Sequence, residues 1–169
     1  MARQRLTRIS IIGILVFALL IGARLLYEEQ WIGNLITKET KSIPGINSVE
    51  ILKEQGNQEM LVTTENVTDL QSLSHELLKI SDTTPIRILD QRNETLEKVY
   101  QKMQFTIYEG IELGNFREME EILNKQAEGA GVELNLSMDD KAVYLNLTQG
   151  ENQLLSVIER QGQNLFLNG

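Results

Sequence analysis

Ile9-Ser10-Ile11-Ile12-Gly13-Ile14-Leu15-Val16-Phe17-Ala18-Leu19-Leu20-Ile21-Gly22-Ala23 is a run of fifteen residues in which Ser10 is the one polar member. Arg3, Arg5 and Arg8 precede it, and Arg24 follows it. Its reading decides the compartment in which the rest of the chain folds, and with it the bonds and partners open to that fold.

A spanning helix needs about 20 apolar residues. If Arg24 sends its charged head to the interface, Leu25, Leu26 and Tyr27 continue the run, and residues 9–27 give 19 positions. Tyr27 and Trp31 then fall near the far interface, where amphipathic aromatic residues collect. In this reading Ile9, Ile11, Ile12, Ile14, Leu15, Val16, Phe17, Leu19, Leu20 and Ile21 are the membrane anchor. A cleaved secretory signal is the rival, with Gly22 and Ala23 as small residues at the cut. Against it, Ile21 stands where a small residue is preferred, and Arg24 with two leucines follows. A buried helix of a cytosolic domain is the third reading. The retained anchor is favoured. No cysteine follows the run to carry a lipid.

Flanking charge sets the orientation. Arg3, Arg5 and Arg8 lie on the N-terminal side with no acid among them, while Glu28 and Glu29 lie beyond the run. Basic flanks stay in the cytoplasm. The expectation is a single-pass cell-membrane protein with its N-terminus inside and its C-terminal domain outside.

Beyond the anchor the balance is acidic. From Glu28 onward there are 24 acids against 12 bases, a net of −12. Such a surface suits neither nucleic acid nor an anionic polymer. The chain has no cysteine, which removes disulfides, thiolate catalysis and cysteine metal sites. A domain outside the cytoplasm must then rely on its core, and 41% of the chain is apolar. The absence of cysteine fits a bacterial envelope protein. Four N-x-S/T sequons, at Asn66, Asn93, Asn135 and Asn146, read as chance occurrences.

The predicted division is a basic tail (1–8), the anchor (9–27), a juxtamembrane helix or linker (28–45), an α+β domain (46–160) with subunits 46–92 and 93–160, and a tail (161–169). Within 28–42, Trp31, Ile32, Leu35 and Ile36 recur at helical spacing, and Pro44-Gly45 ends the segment. Two β-type runs, 48–53 and 60–64, flank a loop Gln55-Gly56-Asn57-Gln58 and read as a hairpin. Asn66 or Thr68 is expected to cap a helix over 69–80 that buries Leu70, Leu73, Leu77, Leu78 and Ile80. A third strand is predicted over 86–89.

Asn93 is expected to cap a longer helix with Leu96, Val99, Tyr100, Met103, Ile107 and Ile111 on one face. Gly110 and Gly114 are expected to interrupt or kink it. Phe116, Met119, Ile122, Leu123 and Ala127 mark a second helical stretch, ended by Gly129-Ala130-Gly131. The rest alternates as strands. Val132, Leu134 and Leu136 precede a turn at Met138-Asp139-Asp140-Lys141, and Val143, Leu145 and Leu147 follow it. Residues 153–160 suit a third meander strand or a short helix, and the β-branched Val157 and Ile158 favour the strand. The last residues are expected to pair weakly or fray. Residues 48–51 and 131–134 have a similar look, so a duplicated helix–hairpin unit and coincidence are both open.

Little catalytic chemistry is on offer. His75 is the one histidine, mid-helix beside Glu76, and reads as a partly exposed helical residue without a metal cluster around it. Asp139-Asp140 fills a turn and Glu120-Glu121 a helix surface, so neither pair reads as a glycosidase dyad. Asp90, at a strand end and followed by Arg92, is the least ordinary polar position; its plain reading is a surface turn and helix cap. No phosphate-cradling glycine loop, nucleophile elbow or zinc-helix motif occurs. No catalytic, cofactor-binding or metal residue is assigned.

The order helix, hairpin, helix, strand over 28–89, with Ile43-Pro44-Gly45-Ile46-Asn47-Ser48-Val49 leading into the hairpin, resembles ring-building domains. BON-type envelope domains are similar in character. The resemblance covers about 60 residues, and the helical region 93–128 departs from that compact pattern. It implies a non-catalytic module just outside the membrane that works by assembly. The function expected is protein–protein interaction or assembly in the bacterial envelope, with a protein partner or a homo-oligomer, one membrane span, no cofactor and no nucleic acid. The alternatives are an extracytoplasmic small-ligand sensor, or a secreted module if the N-terminal segment is cut.

Overall fold

Seven strands and three helices lie within the residues described by the computed structural model, which are 43–54, 57–81, 83–160 and 165–167. In chain order these are β1 (Ile46–Glu54), β2 (Asn57–Thr64), α1 (Leu70–Ser81), β3 (Ile86–Leu89), α2 (Glu94–Leu113), α3 (Phe116–Ala130), β4 (Glu133–Met138), β5 (Ala142–Gln149), β6 (Asn152–Glu159) and β7 (Phe166–Leu167). The class is mixed α+β with two sheets. The proposed anchor and the 28–42 helix lie outside the described residues. Among the described residues no helix is long and apolar enough to cross a membrane.

Alternation along β1 and β2 builds the first sheet, ordered β1-β2-β3-β7. β1 and β2 are antiparallel, while β3 runs parallel to β2 and β7 parallel to β3. The register sets Val49 opposite Val62, Met60 opposite Ile86, Val62 opposite Ile88 and Ile86 opposite Phe166. Because strand side chains alternate, these residues share one face, and all are buried. A parallel pair needs a crossover. Here it is α1, whose buried side carries Leu70, Leu73 and Leu77. The other face, with Leu52, Leu89 and the Glu59–Arg87 ion pair, is exposed to half-buried.

The second sheet is the antiparallel meander β4-β5-β6. Leu147 pairs with Leu134 and Leu154, Leu145 with Leu136 and Ser156, and Val143 with Ile158. That face packs on Leu96, Met103 and Ile107 of α2 and on Met119, Leu123 and Ala127 of α3. Inside this core the Tyr100 hydroxyl and Ser156 Oγ satisfy each other at 2.8 Å. The reverse face is buried too, so Ala142 to Leu147 form a continuous buried run. Alternation predicts a half-buried strand here; β5 is instead a central strand with cover on both sides.

Polar clamps join the segment between β2 and α1 to the meander. The Gln153 side-chain amide reads the backbone of Val67 twice: its Oε1 accepts from the Val67 N–H at 2.9 Å, and its Nε2 donates to the Val67 carbonyl at 2.8 Å. Asn146 Nδ2 donates to the same carbonyl at 2.8 Å.

Several local expectations are corrected. Asn57 and Gln58 belong to β2, not to the hairpin loop. α1 is capped by Asp69, whose Oδ1 accepts from the Ser72 N–H at 2.9 Å, not by Asn66 or Thr68. Ser74 and Ser81 occupy buried helix positions, whereas Leu78 and Ile80 are half-buried. Ser74 manages this by donating to the Leu70 carbonyl at 2.7 Å. Ile122 is exposed, and Ile111 and Phe116 are half-buried at the rim of the second core. Gly110 does not kink α2, which continues to Leu113 and ends at Gly114 in the left-handed region, with φ 69°. Residues 152–159 are a strand, and Phe166–Leu167 pairs with β3. The helix that the duplicated helix–hairpin reading sets before the first hairpin lies outside the described residues; α1 follows the first hairpin and β6 the second.

Candidate functional site

α1 and the β4–β5 turn form the walls of an open cleft of about 530 Å³. Ser72, His75 and Lys79 project from the helix, and Asp139, Asp140 and Lys141 from the turn. A neighbouring cleft of about 400 Å³ is lined by Gln71, Asn135, Ser137, Tyr144 and Asn146 among others.

Asp139 organises the first cleft. Its Oδ1 accepts from the Lys141 N–H at 2.8 Å and the Ala142 N–H at 2.9 Å, as short turns built on Asp commonly do. Its Oδ2 accepts from the Tyr144 hydroxyl and from His75 Nε2, each at 2.8 Å. Burial alone would raise its pKa. The hydrogen bonds from Ala142, Tyr144, Lys141 and His75 outweigh that and hold the carboxyl well below the ordinary range. Tyr144 moves the opposite way: burial, then its bond to Asp139, push the phenol well above its usual value. The His75 and Tyr144 rings meet edge to face with centroids 5.9 Å apart.

An ionised carboxylate at Nε2 places the imidazole proton there and leaves Nδ1 as an acceptor. A histidine oriented by a carboxylate is the geometry of a general base or a metal ligand. The rest of such a site does not assemble around it. Ser72 Oγ, the hydroxyl in the same cleft, donates to the capping Asp69 at 2.6 Å. Among the described residues no group of three or more metal-ligating side chains converges.

By sequence alone His75 stands on a helix without a partner and Asp139 in a turn. The structure brings them together across 64 residues, and it adds Tyr144, which the sequence did not single out. No local signal carries that pairing. Asp90 is corrected more sharply. Its side chain is 2% exposed and paired with Arg92 at 2.7 Å, and its Oδ2 accepts the Leu155 N–H at 2.8 Å. It joins the end of β3 to β6 and does not lie in a surface turn. The cap of α2 is Asn93, whose Oδ1 accepts from the Leu96 N–H at 2.9 Å. Glu120 and Glu121 are exposed on α3. Of the sequon residues, Asn146 is buried and Asn93 is the helix cap.

The other unusual surface is the outer side of α2. Glu94, Lys98, Gln101, Phe105, Tyr108 and Glu112 recur at alternating spacings of four and three, and all are exposed. Phe105 is 83% exposed and Tyr108 57%, on a helix whose inner side is fully packed.

No protein-family model matches this chain, no curated protein matches it, and no solved structure matches it.

Proposed function

We propose that this chain is a single-pass, membrane-anchored bacterial envelope protein whose α+β domain lies outside the cytoplasm and works by protein–protein contact, not by catalysis. The observation that carries the reading is the aromatic pair Phe105 and Tyr108 on the outer side of α2. Burying an aromatic side chain of this size is worth about 2–3 kcal/mol. The second core is filled without these two rings, so what they gain comes from a partner. Aromatic residues in a polar surround are also the composition of binding hot spots. The run 9–27 with its flanking arginines supports the anchor, and the domain's net of −12 disfavours nucleic acid or an anionic polymer as the partner.

The test uses full-length protein in a Gram-positive host. Protease is added to intact protoplasts, and a photo-crosslinking residue replaces Phe105. The domain is expected to be shaved from the surface and residue 105 to capture a protein. Complete protection refutes the topology, and an uncrosslinked residue 105 refutes the contact.

The cleft beside His75 favours a second reading, a small-ligand sensor. A thermal shift with a polar envelope metabolite, lost in His75→Ala, would establish it in place of the first.

A further inference from the structure

We propose that the outer side of α2 is a self-association surface on which a second copy of this chain packs antiparallel; this rests on the protein-contact reading above and names its partner. The stripe Lys98, Gln101, Phe105, Tyr108 and Glu112 has the alternating spacing of a helix–helix seam. Around the two rings its charges are divided, while Glu94 and Glu97 of the first turn lie beyond the segment that overlaps. Lys98 and Lys102 lie in the first half, Glu109 and Glu112 in the second, and residues 103–113 include no Lys or Arg. A parallel neighbour would set like charge against like. An antiparallel neighbour sets basic against acidic and opposes the two helix dipoles.

One register satisfies all of these residues. With the two-fold axis between positions 106 and 107, Phe105 of one copy meets Tyr108 of the other, and the reciprocal pair forms beside it. Four rings then close the centre of the seam. Gln101 faces Glu112 of the second copy, and Lys102, in the flanking row, faces its Glu109. Lys98, which bonds Glu94 within its own helix, lies one turn from Glu112 of the second copy. Every contact occurs twice, as a two-fold interface requires. Across the two-fold axis Lys102 and Glu109 pair reciprocally, so the surface is complementary to itself in charge.

The chain lacks cysteine, so introduced thiols report proximity without background. The full-length variant carrying Gln101→Cys with Glu112→Cys is oxidised in native membranes. Within one helix these positions are about 16 Å apart, too far for an internal bridge. A disulfide-linked dimer is expected. In that background Lys102→Glu or Glu109→Lys should each lower the yield about tenfold, and the two together should restore it. Circular dichroism verifies that each variant keeps its helix content.

Absence of the dimer, or failure of the combined reversal to restore it, overturns the proposal. If the dimer is absent while the crosslinker at position 105 captures a different protein, self-association fails and the protein-contact reading survives. If neither adduct forms, both fall.

Discussion

Two glycines in the helices should respond with opposite sign to the same substitution. A Cβ on Gly110 of α2 would lie 2.7 Å from Met119 Sδ and 2.8 Å from Met119 Cβ and Cγ on α3. Two of those atoms are at the root of the side chain, so a rotamer change cannot clear them. Met119 itself is buried, leaving nowhere to move. Overpacking of this kind costs about 1–3 kcal/mol. Removing a helical glycine returns about 1 kcal/mol. Gly110→Ala is therefore expected to destabilise by about 1 kcal/mol net, a fall in Tm of about 4 °C for a domain of this size. Gly129 of α3 has no atom within 4 Å of its Cβ position. Gly129→Ala should recover the propensity alone and raise Tm by a similar amount. Urea unfolding of the detergent-solubilised full chain, followed by far-UV circular dichroism, measures both. The pair Gly110→Ala with Met119→Ala should cost less than the sum of the singles, because the added methyl fills part of the vacated space. If Gly110→Ala stabilises as Gly129→Ala does, the close approach of α2 and α3 is wrong.

Gln153→Leu should cost about 1–3 kcal/mol, since the Val67 N–H loses its acceptor while the Val67 carbonyl keeps Asn146; amide exchange at Val67 should rise with it. Asp90→Ala should cost about 3 kcal/mol by removing the carboxylate that Arg92 and the Leu155 N–H share, and unfolding of the double variant with Arg92→Leu should show less than additive loss. For Asp139 the folded pKa lies below the unfolded one. Its contribution is thus full above about pH 4 and is lost as pH falls through the folded value. The stability gap between wild type and Asp139→Asn should close on acidification. For Tyr144 the folded pKa is raised, so its contribution is full below about pH 10 and declines above it. Tyr144→Phe should lack that alkaline decline in a urea-midpoint series.

The elements were legible where the period was long and the punctuation strong. Asn93 followed by Leu96, Val99, Tyr100, Met103 and Ile107 leaves little room for anything but a capped helix, and α2 begins where that cap requires. Pro85 and the β-branched Ile86 and Ile88 likewise delimit β3. What local pattern missed was decided at long range. Ser74 and Ser81 are buried because α1 is covered more widely than its leucine stripe implies; Ser74 donates back to its own helix, whereas the Ser81 hydroxyl finds no such bond. Asp90 reads as a turn residue until β6, 65 positions later, supplies the Leu155 N–H to its carboxylate. Ile122 continues the apolar face of α3 in sequence, yet the buried side of the helix is Met119, Leu123 and Ala127 and Ile122 stays exposed. His75 and Asp139 could not be paired from sequence because their contact depends on α1 standing beside β5.

The same contrast bears on where a partner meets this domain. The Asp139 carboxylate already accepts four hydrogen bonds, one of them from His75 on α1, and Ser72 and Lys79 are bonded within their own helix region to Asp69 and Glu76, so the central polar groups of the His75 cleft are already engaged. A ligand entering there competes with bonds that stabilise the fold. On the outer side of α2 nothing has to be broken: Phe105 and Tyr108 are held out by a helix anchored through Leu96, Met103 and Ile107, so their rotamers alone remain to be fixed on binding. Low ordering cost is what separates a usable hot spot from exposed apolar area. That difference in cost, more than the size of either surface, is why the α2 face carries the functional proposal and the cleft the rival one.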